Sequence, residues 1–287
     1  MSPATANRLG GSSTTHVGRT VGRAGRGCPC WSQPKVSRIE SGRTAFTVRD
    51  IAHLLALYGV QDDVRAELLG VTAVDTGEGA WIVRAGGYPR RQGSVGSLEV
   101  VTRRLRHFQI ITVPGLLQTR EYAHDITAAV GVPDPDAAAE ARMRRQAVVR
   151  GEGGPQYDVV LDARALLLRP GSLDALRGQV LALAESGEVQ ERLDLRIIPL
   201  GARSTVIATV GFIIFDFIAQ ESPSVAFVEA PAGDVYFSAE EDVAHYSGLF
   251  ERLQGVALSP EKSVEYLRSF AADIERYVGP VEGSGRA

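Results

Sequence analysis

Four polar side chains in one short stretch, Gln33, Lys35, Ser37 and Arg38, are of the kinds that grip and read nucleic acid. A glutamine pairs bidentately with adenine in the major groove, an arginine reaches guanine or phosphate, and lysine and serine bind phosphate oxygens. The elements that must position them follow from their neighbours, Ser32-Gln33-Pro34-Lys35-Val36-Ser37-Arg38-Ile39-Glu40-Ser41-Gly42, which predict one short helix. Ser32 caps its N-terminus, Pro34 sits in the first turn where a missing N–H costs nothing, and Gly42 ends it in the left-handed conformation. Val36 and Ile39, three apart, form an apolar seam that turns inward and leaves the polar four outside. Arg43 adds a cation just past the stop. An ordinary amphipathic surface helix has the same pattern, so the stretch by itself leaves both readings open.

The next segment supplies a second helix. Thr47-Val48-Arg49-Asp50 is a T-x-x-D capping box, Ile51, Leu54, Leu55 and Tyr58 fall on one helical stripe, and Gly59 is a stop. From Trp31 to Leu69 the wording resembles the Xre-type (lambda-repressor/Cro-like) helix-turn-helix regulators, with S-Q-x-x-V-S-R-I-E-x-G in the place of their recognition helix. The resemblance implies a five-helix DNA-binding domain in which the Thr47 helix is the fourth and the fifth begins at Asp62 or Asp63. It implies Val36, Ile39, Ile51 and Leu54 as core, Gln33, Lys35, Ser37, Arg38 and Arg43 as DNA contacts, a double-stranded operator as partner, and a homodimer.

Charge is distributed in the same sense. The chain of 287 residues has a formal charge of −3. Residues 1–50 carry Arg8, Arg19, Arg23, Arg26, Lys35, Arg38, Arg43 and Arg49 against Glu40 and Asp50, a net +6 that leaves −9 for the rest. A basic head on an acidic body suits a module that meets phosphates while the remainder stays off them. No apolar run reaches the ~18 residues that would span a bilayer. Nor is there a secretory-type apolar segment at the N-terminus, so a cytoplasmic location without a membrane partner is expected. Cys28 and Cys30 are too close for an easy disulfide, and with only His16 nearby they lack zinc-ligand spacing; free thiols, with no metal and no cofactor, are expected.

Residues 1–30 break the likeness. Gly10, Gly11, Gly18, Gly22, Gly25 and Gly27 are interspersed with Ser, Thr and Arg, and Leu9, Val17 and Val21 cannot line two helices. Such composition predicts disorder. The two helices that should brace the recognition helix are therefore expected to be missing or read out of frame, with family-like sequence resuming abruptly at Trp31.

Beyond residue 70 the pattern changes. Residues 71–97 are Gly-rich and read as a linker, with Trp81 and Tyr88 packing part of it onto the body. Helical spacing runs from Leu98 to about Phe108. Val113-Pro114-Gly115-Leu116-Leu117-Gln118-Thr119 forces a turn and sends two leucines into a core, ahead of a helix from Arg120 to Ala129. Further helices are expected at Ala137–Arg150, Ser172–Ser186, Ala239–Ala257 and Pro260–Tyr277. Strands are expected at Tyr157–Leu161, Leu195–Pro199, Gly211–Phe217, Val225–Glu229 and Asp234–Phe237. The fold class is α+β: an incomplete all-α helix-turn-helix head and a larger mixed α+β domain at 98–278, with a disordered tail at 279–287.

P-G-L-L-Q-T with Glu121-Tyr122-Ala123, Arg142-Met143-Arg144-Arg145-Gln146-Ala147, Val159-Val160-Leu161-Asp162, Gly233-Asp234-Val235-Tyr236 and Leu258-Ser259-Pro260-Glu261 resemble the C-terminal effector-like domain of actinobacterial Xre-type regulators. That group is described as antitoxin-like and is frequently encoded beside a small partner protein. Leu116, Leu117, Phe215, Phe217 and Tyr236 are the candidates for lining a ligand or partner site, although the aromatics between Phe212 and Phe237 also make a plain sheet core.

No catalytic constellation stands out. Asp158, Asp162 and Arg164 read first as a solvated strand end and Asp234 as a turn residue. His107, His124 and His245 are scattered, Glu240, Glu241 and Asp242 suit a helix N-terminus, and no nucleophile elbow or phosphate loop occurs. The expected function is an operator-binding transcriptional regulator controlled through its body by a ligand or small partner, and not an enzyme. The alternative is an antitoxin-like interaction module that no longer binds DNA.

Overall fold

The computed structural model describes residues 73–75, 80–84, 95–203, 205–218, 223–230 and 233–279. They form an α+β body on one eight-stranded mixed sheet. In chain order its strands are β1 (Ala73–Asp75), β2 (Ala80–Arg84), β3 (Thr102–Gln109), β4 (Gln156–Asp162), β5 (Leu193–Ile198), β6 (Phe212–Phe217), β7 (Val225–Val228) and β8 (Gly233–Phe237). Across the sheet they run β1-β2-β8-β7-β6-β3-β4-β5. β3, β4 and β5 are mutually parallel, and all other pairings are antiparallel.

The helices are α1 (Arg120–Ala129), α2 (Pro135–Arg150), α3 (Leu173–Val189), α4 (Glu240–Val256), α5 (Pro260–Ala272) and α6 (Ile274–Val278). Four begin at sequence-encoded caps. The side chains of Thr119, Asp134, Ser172 and Ser259 accept from the backbone N–H groups of Tyr122, Ala137, Ala175 and Lys262, and Pro135 and Pro260 occupy the first helical position. The helix expected over Pro260–Tyr277 is interrupted at Asp273, which separates α5 from α6.

The helices are divided between the two faces of the sheet. On one face, Leu105, Tyr157, Val159, Leu161, Leu195, Ile197, Phe215 and Phe227 pack against α1, α3, α5 and α6 through Tyr122, Leu176, Val180, Leu183, Leu267, Phe270 and Ile274. On the other, Phe108, Val160, Ile198, Phe212, Ile214 and Ala226 are covered by Phe250 and Leu253 of α4. β4 is sandwiched between these layers and is buried from Tyr157 to Asp162. The outer edge of β5 is closed locally: Ile197 donates its N–H to the Ser263 hydroxyl and accepts from the N–H of Leu258, both at 2.9 Å. Two of its backbone groups are thus unavailable for pairing with another chain.

Three expectations are corrected. Of the Leu98–Phe108 stretch only residues 98–99 are helical, as the end of a turn of helix over 95–99; from Thr102 it is β3, in the interior of the sheet. Leu98, Val101, Leu105 and Phe108 do recur at three- and four-residue spacing, but Leu105 and Phe108 belong to opposite cores of a strand buried on both faces, so no clean alternation marks it. Residues 71–97 are not merely a linker, because β1 and β2 extend the sheet beyond β8. Asp234 lies within β8, opposite Val83, rather than in a turn.

One side of the sheet also carries crossed ion pairs. Arg106 faces Asp158 across the β3–β4 ladder and Arg104 faces Asp216 across β3–β6, yet each pairs diagonally, Arg104 with Asp158 at 2.5 Å and Arg106 with Asp216 at 3.0 Å. The Arg106 and Asp216 side chains are only 13% and 12% exposed, and Asp216 also accepts from the Ser224 hydroxyl at 2.6 Å. Removing one partner of such a pair strands a buried charge, whereas replacing both with apolar groups does not. Arg106→Met is expected to cost about 3–5 kcal/mol of unfolding free energy, and adding Asp216→Leu to recover most of it, read by urea denaturation.

Candidate functional site

The turn at Pro114–Thr119 is built from backbone groups that no regular element can satisfy. It contains a short 3-10 segment, Gly115–Leu117, whose two leucines are buried. Side chains from the neighbouring helices take over. Gln146 of α2 donates to the carbonyls of Gly115 (3.0 Å) and Gln118 (2.7 Å). Gln179 of α3 donates to the carbonyl of Leu117 (2.9 Å) and accepts from the N–H of Thr119 (2.7 Å). Gln118 donates to the carbonyl of Val113 and accepts from the Arg142 guanidinium. A buried amide is stable when both its ends are used, as those of Gln118 and Gln179 are.

Under this turn lies a cavity of about 260 Å³. Leu105 and His107 of β3, Tyr157 of β4 and Phe227 of β7 line it from the sheet, and Leu116 and Gln118 from the turn. Glu99, Arg142, Arg145 and Glu229 supply charge. Arg145 and Glu99 form a two-pronged ion pair at 2.5 and 3.0 Å. A second cavity of about 340 Å³ lies alongside; Leu116 and Tyr157 line both, and Leu117, Arg150 and Val189 line only the second.

Burial sets the protonation states. His107 is pushed down to about 3, first by desolvation and then by the positive Arg145, so it is neutral at physiological pH. Its Nδ1 lies 2.9 Å from the Tyr157 hydroxyl, and its buried Nε2 has no hydrogen-bond partner among the described residues. Desolvation raises the Tyr157 hydroxyl well above its ordinary value, reinforced by Glu99. It lowers Arg142 to about 10, with Arg145 adding to the effect and Glu229 opposing it, so Arg142 stays charged. A neutral imidazole, a protonated phenol and paired charges around an apolar space are suited to holding a small molecule.

The residues singled out from sequence are dispersed. Gln33, Lys35, Ser37, Arg38, Arg43, Val36, Ile39, Ile51 and Leu54 lie outside the described residues, as do Cys28 and Cys30. Of the ligand or partner candidates, Leu116 lines both cavities and Leu117 the second, while Phe215, Phe217 and Tyr236 are sheet core. His107, Arg142, Arg145 and Glu99 were not singled out as site residues. The only sequence signal for them is the Arg142–Ala147 string. Asp158 pairs with Arg104, and Asp162 caps the 3-10 segment Ala163–Leu167 while pairing with Arg164. Among the described residues no group of three or more His, Cys, Asp or Glu is placed to hold a metal ion, and no helix is long and apolar enough to cross a membrane.

Comparison with known proteins defines the class first. Residues 6–68 match the model of a helix-turn-helix domain, so the chain joins a module of the helix-turn-helix class to the α+β body. Residues 92–269 match the model described as domain of unknown function (DUF5753), and the chain belongs to that family. The helix-turn-helix match takes in residues 6–30, which sequence reading sets outside the domain. No curated protein matches. A solved structure of TrmBL2, an archaeal chromatin protein with a novel mode of DNA binding, is similar at 14% identity and a TM-score of 0.30. The match covers 74% of this chain and 65% of that one, and at this level it carries no argument.

Because His107 is neutral in the fold and protonatable when unfolded, its contribution to stability is complete above pH ~6.5 and is lost as pH falls toward 3. His107→Gln is expected to remove a loss of about 2 kcal/mol between pH 7.5 and pH 5, measured as the difference in unfolding free energy between the two proteins.

Proposed function

We propose that the protein is an Xre-type transcriptional regulator of actinobacterial type, cytoplasmic and homodimeric, that reads an operator through the Ser32–Gly42 helix. The observation that carries this reading is the helix-turn-helix match over residues 6–68 in the same chain as the DUF5753 body. Within that match, Gln33, Lys35, Ser37, Arg38 and Arg43 have the chemistry for base edges and phosphates. The body acts as the controlling part, through a ligand or a small protein encoded nearby, and performs no catalysis of its own. Asp158, Asp162 and Arg164 support the last point, since each is engaged in a cap or ion pair. A ligand or partner changes operator affinity only by binding one arrangement of the two DNA-reading units better than another.

The head enters the same proposal. A match that starts at residue 6 keeps the length of the leading segment, while Gly and Arg have replaced the apolar residues two helices need. A stretch read out of frame and restored at Trp31 accounts for both. Resequencing the locus, with mass spectrometry of the native N-terminal peptides, decides it; finding residues 1–30 intact in native protein overturns it. A second reading, an antitoxin-like module without DNA binding, is favoured by that same Gly-rich head. Co-purification of the neighbouring gene's product with a chain beginning at Val71, which keeps β1 and β2, favours the second reading when the full chain shows no operator binding.

Mobility shifts with the upstream intergenic DNA at two salt concentrations test the main reading, with binding expected to weaken steeply as salt rises. Gln33→Ala is expected to cost about 1–3 kcal/mol, specific to the base it reads. Lys35→Ala is expected to weaken all sequences alike and lower the salt slope. Absence of specific binding after an intact pair of leading helices is restored overturns the assignment.

A further inference from the structure

We propose that the cavity beneath the Pro114–Thr119 turn binds a small, uncharged amphipathic molecule: an apolar body of on the order of ten non-hydrogen atoms with one carbonyl or amide head. The inference deepens the reading of the body as the controlling part and rests on it.

Size sets the first limit. About 260 Å³ falls below the ~300–1,000 Å³ of drug-sized sites and equals roughly nine water volumes of ~30 Å³ each.

Charge sets the second. The lining carries two cations, Arg142 and Arg145, and two carboxylates, Glu99 and Glu229: Arg145 is ion-paired to Glu99, and Glu229 partly offsets the effect of Arg145 on Arg142. His107 contributes no charge. An incoming anion or cation would upset this equal count of lining charges and would lose its hydration, which is costly in a buried space.

Polarity sets the third. His107 lines the cavity with Nδ1 held by Tyr157 and a buried Nε2 that lacks a partner among the described residues. A polar nitrogen kept in that state calls for one hydrogen-bonding group from elsewhere. An amide head suits it in either tautomer, because it both donates and accepts.

Access sets the fourth. Val130, at the end of α1, lines the cavity and is 66% exposed, and Ile111, beside the lining residue Thr112, is 62% exposed. An apolar rim of this kind admits an apolar tail.

The test uses octanamide and octanoate, which share a chain and have equal numbers of non-hydrogen atoms but differ in charge. Each is titrated into the full chain without DNA by isothermal calorimetry at pH 7.5. Octanamide is expected to bind at least tenfold more tightly than octanoate. His107→Phe is expected to weaken octanamide about tenfold, and Val130→Trp, placed at the exposed rim where folding tolerates it, to weaken it more. Equal affinities, preference for octanoate, no heat from either, or octanamide binding unchanged by Val130→Trp each overturn the proposal. Should His107→Phe not fold, by circular dichroism, the Val130→Trp comparison still decides. Loss of operator binding with octanamide binding intact counts against the DNA reading and leaves this site standing; the reverse result sinks the site alone.

Discussion

The body depends on how the Pro114–Thr119 turn is satisfied. A turn that puts Leu116 and Leu117 into the core must also bury peptide groups, and each unpaired one costs on the order of 1–3 kcal/mol. Gln118, Gln146 and Gln179, one from the turn and one from each of two helices, supply the missing partners. They therefore do more than cap loose ends. The same hydrogen bonds fix where α2 and α3 stand relative to the turn, and so set the height of the space over β3 and β4. Leucine or methionine would fill the volume of any of these glutamines but leave amides unsatisfied.

The two faces of the sheet bury polar groups by different means. Near the cavity, charges come from helices and flanking segments and are arranged around a space, with His107 kept neutral by desolvation and Arg145. On the opposite face the charges come from the strands themselves and lock diagonally, Arg104 to Asp158 and Arg106 to Asp216, so that β3 is tied to both its neighbours. One face is tightly cross-linked by charge; the other keeps its charges beside room for a guest.

Much of this was legible in the sequence where the cause is local. The helix starts expected at Arg120, Ser172 and Pro260 fall within a residue of those observed, the one expected at Ala137 lies two residues inside its helix, and the apolar runs of β4, β6 and β7 mark strands, because each signal lies within a few residues. The family-like strings at 114–119, 142–147 and 258–261 fall on the turn, the helix that supports it, and the edge-closing segment. β3 was misread because a strand buried on both sides presents apolar residues at helical spacing. β1 and β2 were missed because three- and five-residue strands among glycines offer little pattern; β2 is fixed by pairing with β8, over 140 residues later, and β1 by pairing with β2. The cavity was invisible for a related reason: Glu99, His107, Arg142, Tyr157 and Glu229 meet only through the sheet. Phe215, Phe217 and Tyr236, chosen for their chemistry, are buried in the sheet core.

β1 has a mechanical consequence. The helix-turn-helix match ends at residue 68 and β1 begins at Ala73, so five Cα steps, spanning at most about 18 Å, separate the DNA-reading module from the rim of the sheet. A full turn of duplex is about 34 Å. On so short a leash the module cannot search widely on its own. In any pair of chains, the separation of the two modules is then bounded by where the docked bodies set their sheet edges, give or take the reach of two such leashes.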